Sequence, residues 1–101
     1  MGIDVQLRGE GGEVIEAVCD PQMVLSRAAR TRFSGTQLLK YVVPWGDAVF
    51  NQAQASDLTA DIRAIRSASA GTPLSQLLSE VEPLVEKLSR EARFYLWFVG
   101  D

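Results

Sequence analysis

Ile3, Val5 and Leu7 alternate with Asp4, Gln6 and Arg8. A period of two is that of a strand with one buried and one wet face. Gly9, Glu10, Gly11 and Gly12 follow, a permissive stretch for chain reversal, and Val14 to Cys19 reads as the returning strand of a hairpin. Asp20 and Pro21 then predict a short helix to about Ala29, with Asp20 as its N-cap and Pro21 at its first position. Thr36 to Val43 carries Leu38, Leu39, Tyr41, Val42 and Val43, and its length and β-branching favour a third strand over a buried helix. Pro44, Trp45, Gly46 and Asp47 form a turn that ends it, before the apolar patch Ala48, Val49 and Phe50.

From Ser56 the period changes. Leu58, Ile62 and Ile65 recur at helical spacing until Gly71. Thr72 and Pro73 are a cap and first-turn pair for a stronger helix, whose stripe of Leu74, Leu77, Leu78, Val81, Leu84, Val85 and Leu88 keeps its phase across Pro83. That continuity predicts one kinked helix, not two. Arg93 to Val99 closes the chain as a strand that is apolar almost throughout. The order β-β-α-β-α-α-β predicts an α+β domain: a small, antiparallel, four-stranded sheet with helices packed on one face.

In the last strand, if Phe94, Leu96 and Phe98 meet the helices, Tyr95, Trp97 and Val99 point the other way, onto the face that receives Asp4, Gln6 and Arg8. Exposed Trp, Tyr and Arg dominate protein interfaces, so Arg8, Tyr95 and Trp97 are the first candidate site. The competing structural reading has the loop through Trp45 covering them as a second core. The second candidate is the loop Pro44 to Gln52 with Trp45 and Asp47. Its plainer reading is a turn in which Asp47 bonds its own backbone and Asn51 starts the next helix, and the absence of any known motif spacing favours that reading.

Composition narrows the chemistry. The chain has 101 residues, 47% of them hydrophobic, with a net charge of −3. That suits one acidic globular domain, and its long-range field does not attract nucleic acid or an anionic membrane. There is no histidine, so the usual nucleophile–base triads are excluded. Cys19, the single cysteine, is expected as a small buried filler beside Asp20, and its being alone fits a reducing compartment. Without His, and with no calcium-loop spacing, no metal or other cofactor is expected. The pairs Asp57/Asp61 and Glu82/Glu86 lie opposite the apolar stripes with Arg63, Arg66, Lys87 and Arg90, the dress of solvated helix faces. Gly9, Gly11 and Gly12 lie in a hairpin and not at a helix start, which removes a phosphate-cradling loop. Arg27, Arg30 and Arg32, with Phe33 beside them, are the one basic cluster and a weak case for nucleic acid. No apolar run suits a signal peptide or membrane span, which makes the cytoplasm the default compartment.

The run Pro44, Trp45, Gly46, Asp47, Ala48, Val49, Phe50, Asn51 resembles an uncharacterised family of short bacterial proteins with a Pro-aromatic-Gly-Asp-Thr-Val-Phe-Asn motif. The resemblance extends thinly to the start, Met1, Gly2 and Ile3, and to the end, Leu96 to Asp101. Trp45 and Ala48 depart from the commoner Tyr and Thr, which puts any hydroxyl role in that loop in doubt here. The resemblance implies no activity.

The leading expectation is a non-enzymatic protein-binding module of bacterial type, of the immunity or inhibitor kind, that pairs with another protein or with itself. It would use Arg8, Trp45, Asp47, Tyr95 and Trp97. The first alternative is a small-molecule binder or small enzyme built on Asp47, Asn51 and Tyr41. The second is a weak nucleic-acid binder through Arg27, Arg30 and Arg32.

Overall fold

The computed structural model describes residues 2–100. Met1 and Asp101, which entered the resemblance, lie outside the described residues. The first two strands are β1 (Asp4–Arg8) and β2 (Val14–Val18), joined by the expected glycine turn. Gly9 donates its N–H to the Glu13 carbonyl and Gly12 adopts a φ of 90° there, a conformation that costs glycine little. The register slips between Leu7 and Arg8, where β2 accommodates an irregularity opposite β1.

Helix α1 (Val24–Thr31) starts later than its sequence signal. Pro21 and Gln22 form a turn and Met23 takes a left-handed φ of 58°, so the chain needs three more residues before the helix opens. Asp20 still caps it, from a distance, with its carboxylate on the N–H groups of Val24, Leu25 and Ser26.

The predicted strand over Thr36 to Val43 is not a strand. The N–H groups of Gln37, Leu38 and Leu39 are taken by the Asp61 carboxylate, so they cannot enter a ladder, and Leu39–Tyr41 closes into one 3₁₀ turn. The third strand is β3 (Asp47–Phe50), the short patch after the Pro44 turn, with Ala48 and Phe50 buried and Asp47 and Val49 exposed. A second 3₁₀ turn, Gln52–Gln54, leads into α2 (Ala55–Ala68). The last elements are α3 (Pro73–Arg90) and β4 (Tyr95–Val99).

Helix α3 is one uninterrupted element across Pro83, as the unbroken stripe predicts. Pro83 faces solvent, where water can serve the Ser79 carbonyl that its missing N–H leaves free. Thr72 Oγ1 accepts the Ser75 N–H at 3.3 Å, and Pro73 occupies the first turn. After α3, Glu91 accepts the backbone N–H and then the guanidinium of Arg93, which holds its carboxyl below the usual carboxylate range.

The fold is α+β: a four-stranded antiparallel sheet of order β2-β1-β4-β3, with helices. Its two central strands are the first and the last in the chain. Helix α3 packs on β1, β2 and β4, and both α1 and α2 pack on α3. The core joins Val5, Leu7, Leu96, Phe98, Ala48 and Phe50 of the sheet to Leu78, Val81, Val85 and Leu88 of α3 and to Leu58 and Ile62 of α2. Phe50 and Phe98 meet edge to face at 5.7 Å. Glu82 ties α3 to α2 through Arg66 at 2.7 Å and Arg63 at 3.8 Å, which orients the helices but, near the surface, adds little stability. Glu16 of β2 pairs with Lys87 of α3. Among the described residues no helix is long and apolar enough to cross a membrane.

Candidate functional site: the outer face of the sheet

Strand alternation sends one set of side chains to the helices and leaves the other set on the far side of the sheet. On β1 that second set is Asp4, Gln6 and Arg8; on β4 it is Tyr95, Trp97 and Val99; on β3 it is Asp47 and Val49. The pairing register lines them up in rows. Ala17, Gln6, Trp97 and Val49 lie side by side across all four strands, Arg8 lies opposite Tyr95, and Val99 lies between Asp4 and Asp47.

The structure thus brings Arg8, Tyr95 and Trp97 together as the alternation predicts. The Arg8 guanidinium lies 4.1 Å from the centre of the Trp97 ring, an attractive geometry for a cation over an aromatic face. Gln6 Oε1 accepts from Arg8 Nη2 at 2.6 Å and Nε at 2.9 Å, so the arginine is held in place from two sides. Arg8, Tyr95 and Trp97 are each half-buried, while Val49 and, on β2, Val14 and Ile15 are exposed. With 67% of its surface exposed, Trp45 is not packed as a lid over Tyr95 and Trp97.

Asp47, at the other end of the face, does not bond its own turn. Its Oδ1 accepts the Gly100 N–H at 3.2 Å, and the same N–H points at the Gly46 carbonyl at 3.0 Å. The turn from Val43 to Gly46 is wrapped closely around Gly100. A Cβ there would stand 2.5 Å from the Gly46 carbonyl oxygen, 2.7 Å from that of Pro44 and 2.8 Å from that of Val43. Backbone atoms cannot step aside cheaply, so Gly100→Ala is expected to cost about 1–3 kcal/mol. It should also speed amide exchange over residues 43–47; a urea melt superimposable on the parent's would contradict this account.

Of the remaining candidates, Asn51 has structural employment. Asn51 and Gln54 form a reciprocal capping box, with the Asn51 N–H donating to Gln54 Oε1 at 2.9 Å. Tyr41 is exposed beside Lys40. In the basic cluster, Arg27, Arg30 and Arg32 are exposed, but Phe33 is a core residue at 1% exposure and offers no ring to stack on a base.

Two residues sit where the sequence did not place them. Cys19 is exposed, not a buried filler; it is Asp20, the next residue, that turns inward. Asp61 is 5% exposed, not part of a solvated pair with the exposed Asp57. Its carboxylate serves the loop from Gln37 to Leu39. The signal was present: Asp61 continues the spacing of Leu58, Ile62 and Ile65, which marks the buried side of α2.

A groove of about 420 Å³ runs between the β2–α1 connection and α3, lined by Cys19, Pro21, Gln76 and Glu80 among others. It holds none of Tyr41, Asp47 and Asn51. No group of three acidic or thiol side chains placed to hold a metal ion occurs among the described residues.

What the fold and this face define is a small α+β protein with one open sheet surface. No family model, no curated protein and no solved structure matches the chain.

Proposed function

We propose that the protein is a non-enzymatic protein-binding module that presents the outer face of its sheet. One observation carries the reading: on a face left open by the helices, Arg8 is fixed over Trp97 and beside Tyr95. Trp, Tyr and Arg are the residues in which binding energy concentrates. Their pre-orientation lowers the entropy lost on docking. The surrounding Val49, Ile15 and Val14 supply an apolar rim, with Asp4 and Asp47 at one end. A small acidic inhibitor or immunity protein is one concrete form of such a module, because blocking another protein needs complementarity and no catalytic group.

The test compares tagged parent with Trp97→Ala, Arg8→Ala and Trp45→Ala in capture from the native host, after amide spectra confirm that each variant is folded. Loss of a central aromatic or arginine anchor is expected to weaken a partner at least tenfold, corresponding to about 1.4 kcal/mol or more. Equal capture of every partner by all three variants would remove the reading.

A further inference from the structure

Given the reading of the outer face as a binding surface, its layout says what covers it. The face has a middle and two ends. Ala17, Gln6, Trp97 and Val49 form the middle row. One end carries Arg8 beside Tyr95, and the other carries Asp4 and Asp47 on either side of Val99. The side chains of the strands themselves thus set Arg8 at one end of the face and two carboxylates at the other.

An interface between two copies of one patch must complement itself under a two-fold rotation. Consider an axis lying in the face, perpendicular to the strands and passing over the middle row. It turns a second copy end for end, so that the copy's β1 lies over β1. Arg8 then faces the copy's Asp4, and Asp4 faces the copy's Arg8. Trp97 comes over its own counterpart, and Tyr95 over the copy's Val99. An axis parallel to the strands and over the middle of the sheet would instead lay β1 over the copy's β4, with Arg8 against Tyr95 and Asp4 against Val99, and leave Arg8 without a carboxylate opposite it. The charged side chains that β1 and β3 place on this face are Asp4, Arg8 and Asp47, while Glu16 turns to Lys87 of α3.

Arg8 is prepared for the first arrangement. Stacked on Trp97 and held by Gln6, it still has guanidinium N–H groups to offer a carboxylate from above. We propose that the protein forms a two-fold homodimer by packing these outer faces together, end for end, with the two sheets about 30° apart as aligned sheets pack. Strands of five residues with three gaps between them make a patch of roughly 17 by 14 Å. That is well below the roughly 800 Å² per partner of a standard interface, so the dimer is weak and transient.

Sedimentation velocity of the full chain across roughly 5 μM to 1 mM spans such an equilibrium. The parent is expected to move from monomer to dimer over that range, and less readily in high salt. Arg8→Glu and Asp4→Lys should each weaken self-association at least tenfold, while an equimolar mixture of the two variants should pair again, because each then meets its opposite charge. A parent that stays monomeric to the top of the range overturns the proposal, whatever the variants do. So do variants that dimerise like the parent. Pairing of Arg8→Glu with the parent but not with Asp4→Lys would overturn the end-for-end geometry. A monomeric parent whose capture of a host protein is still lost in Trp97→Ala would end the homodimer and leave the binding-module reading standing. A monomeric parent with unimpaired capture by every variant would end both.

Discussion

Asp20→Ala is expected to lower the stability of the protein by about 3–5 kcal/mol, the largest loss from any single side chain discussed above. The carboxylate is 2% exposed and gathers four backbone donors. Oδ2 accepts from Ile3 at 3.1 Å, Leu25 at 3.0 Å and Ser26 at 3.3 Å, and Oδ1 from Val24 at 2.7 Å. Three of these belong to the open end of α1, where no intrahelical acceptor exists. The fourth belongs to the residue before β1, so one side chain fastens a helix to the central strand. Truncation leaves those N–H groups desolvated and unpaired, which is worse than a bond never made. A domain of this size has only about 5–15 kcal/mol to lose. Urea denaturation is the measurement. Asp20→Asn keeps one oxygen but turns an amide N–H₂ toward the remaining donors, and it is expected to lose about half as much. A midpoint for Asp20→Ala within error of the parent would show that water replaces the carboxylate freely.

Asp61→Ala is the second large effect, about 2–4 kcal/mol, and it should have a different signature. Asp61 Oδ1 accepts from Gln37 at 3.0 Å, and Oδ2 from Leu38 at 2.8 Å and Leu39 at 3.2 Å. These donors lie in the irregular stretch between α1 and β3, whose burial in the core rests on Phe33, Leu39 and Val42. Without the carboxylate that stretch should open locally before the sheet does, since it has no ladder of its own. Hydrogen exchange is the readout: fast exchange at Gln37, Leu38 and Leu39 at denaturant concentrations where Val5 and Phe98 stay protected. Uniform loss across the chain would mean that the loop and the sheet unfold as one unit.

Both carboxylates show why some of the fold was legible in the sequence and some was not. The β1–β2 hairpin, the Thr72–Pro73 start of α3 and the last strand are written in neighbouring residues: alternation, a glycine turn, a cap and a stripe. The path from Thr36 to Val43 is decided from Asp61, more than twenty positions away. Apolar and β-branched residues there look like a strand until their amides are claimed by a distant acceptor. The true third strand has four residues and follows directly on a turn signal, so its alternation of Asp47, Ala48, Val49 and Phe50 is too short to stand out. At α1 the cap was legible but not its reach, because the left-handed turn at Met23 gives no strong local signal.

The outer face was legible as a set of residues, since Arg8, Tyr95 and Trp97 follow from alternation alone. What alternation could not supply is the pairing of β1 with β4 in a register that places Arg8 over Trp97. That contact spans nearly the whole chain, and only the sheet order makes it.

The same order has a consequence in time. Synthesis delivers β1 long before β4, with three helices between them, yet these two strands make the middle of the sheet. As the chain emerges, the β1–β2 hairpin and the α2–α3 pair can form from near neighbours, but Val5 and Leu7 wait beside an empty lane until Leu96 and Phe98 are made. Pairings that close so long a loop are slow, and an apolar strand edge left waiting is open to other chains. The open edge of β1 is thus the part of the nascent domain most exposed to other chains, and pairing with β4 is the step that closes it.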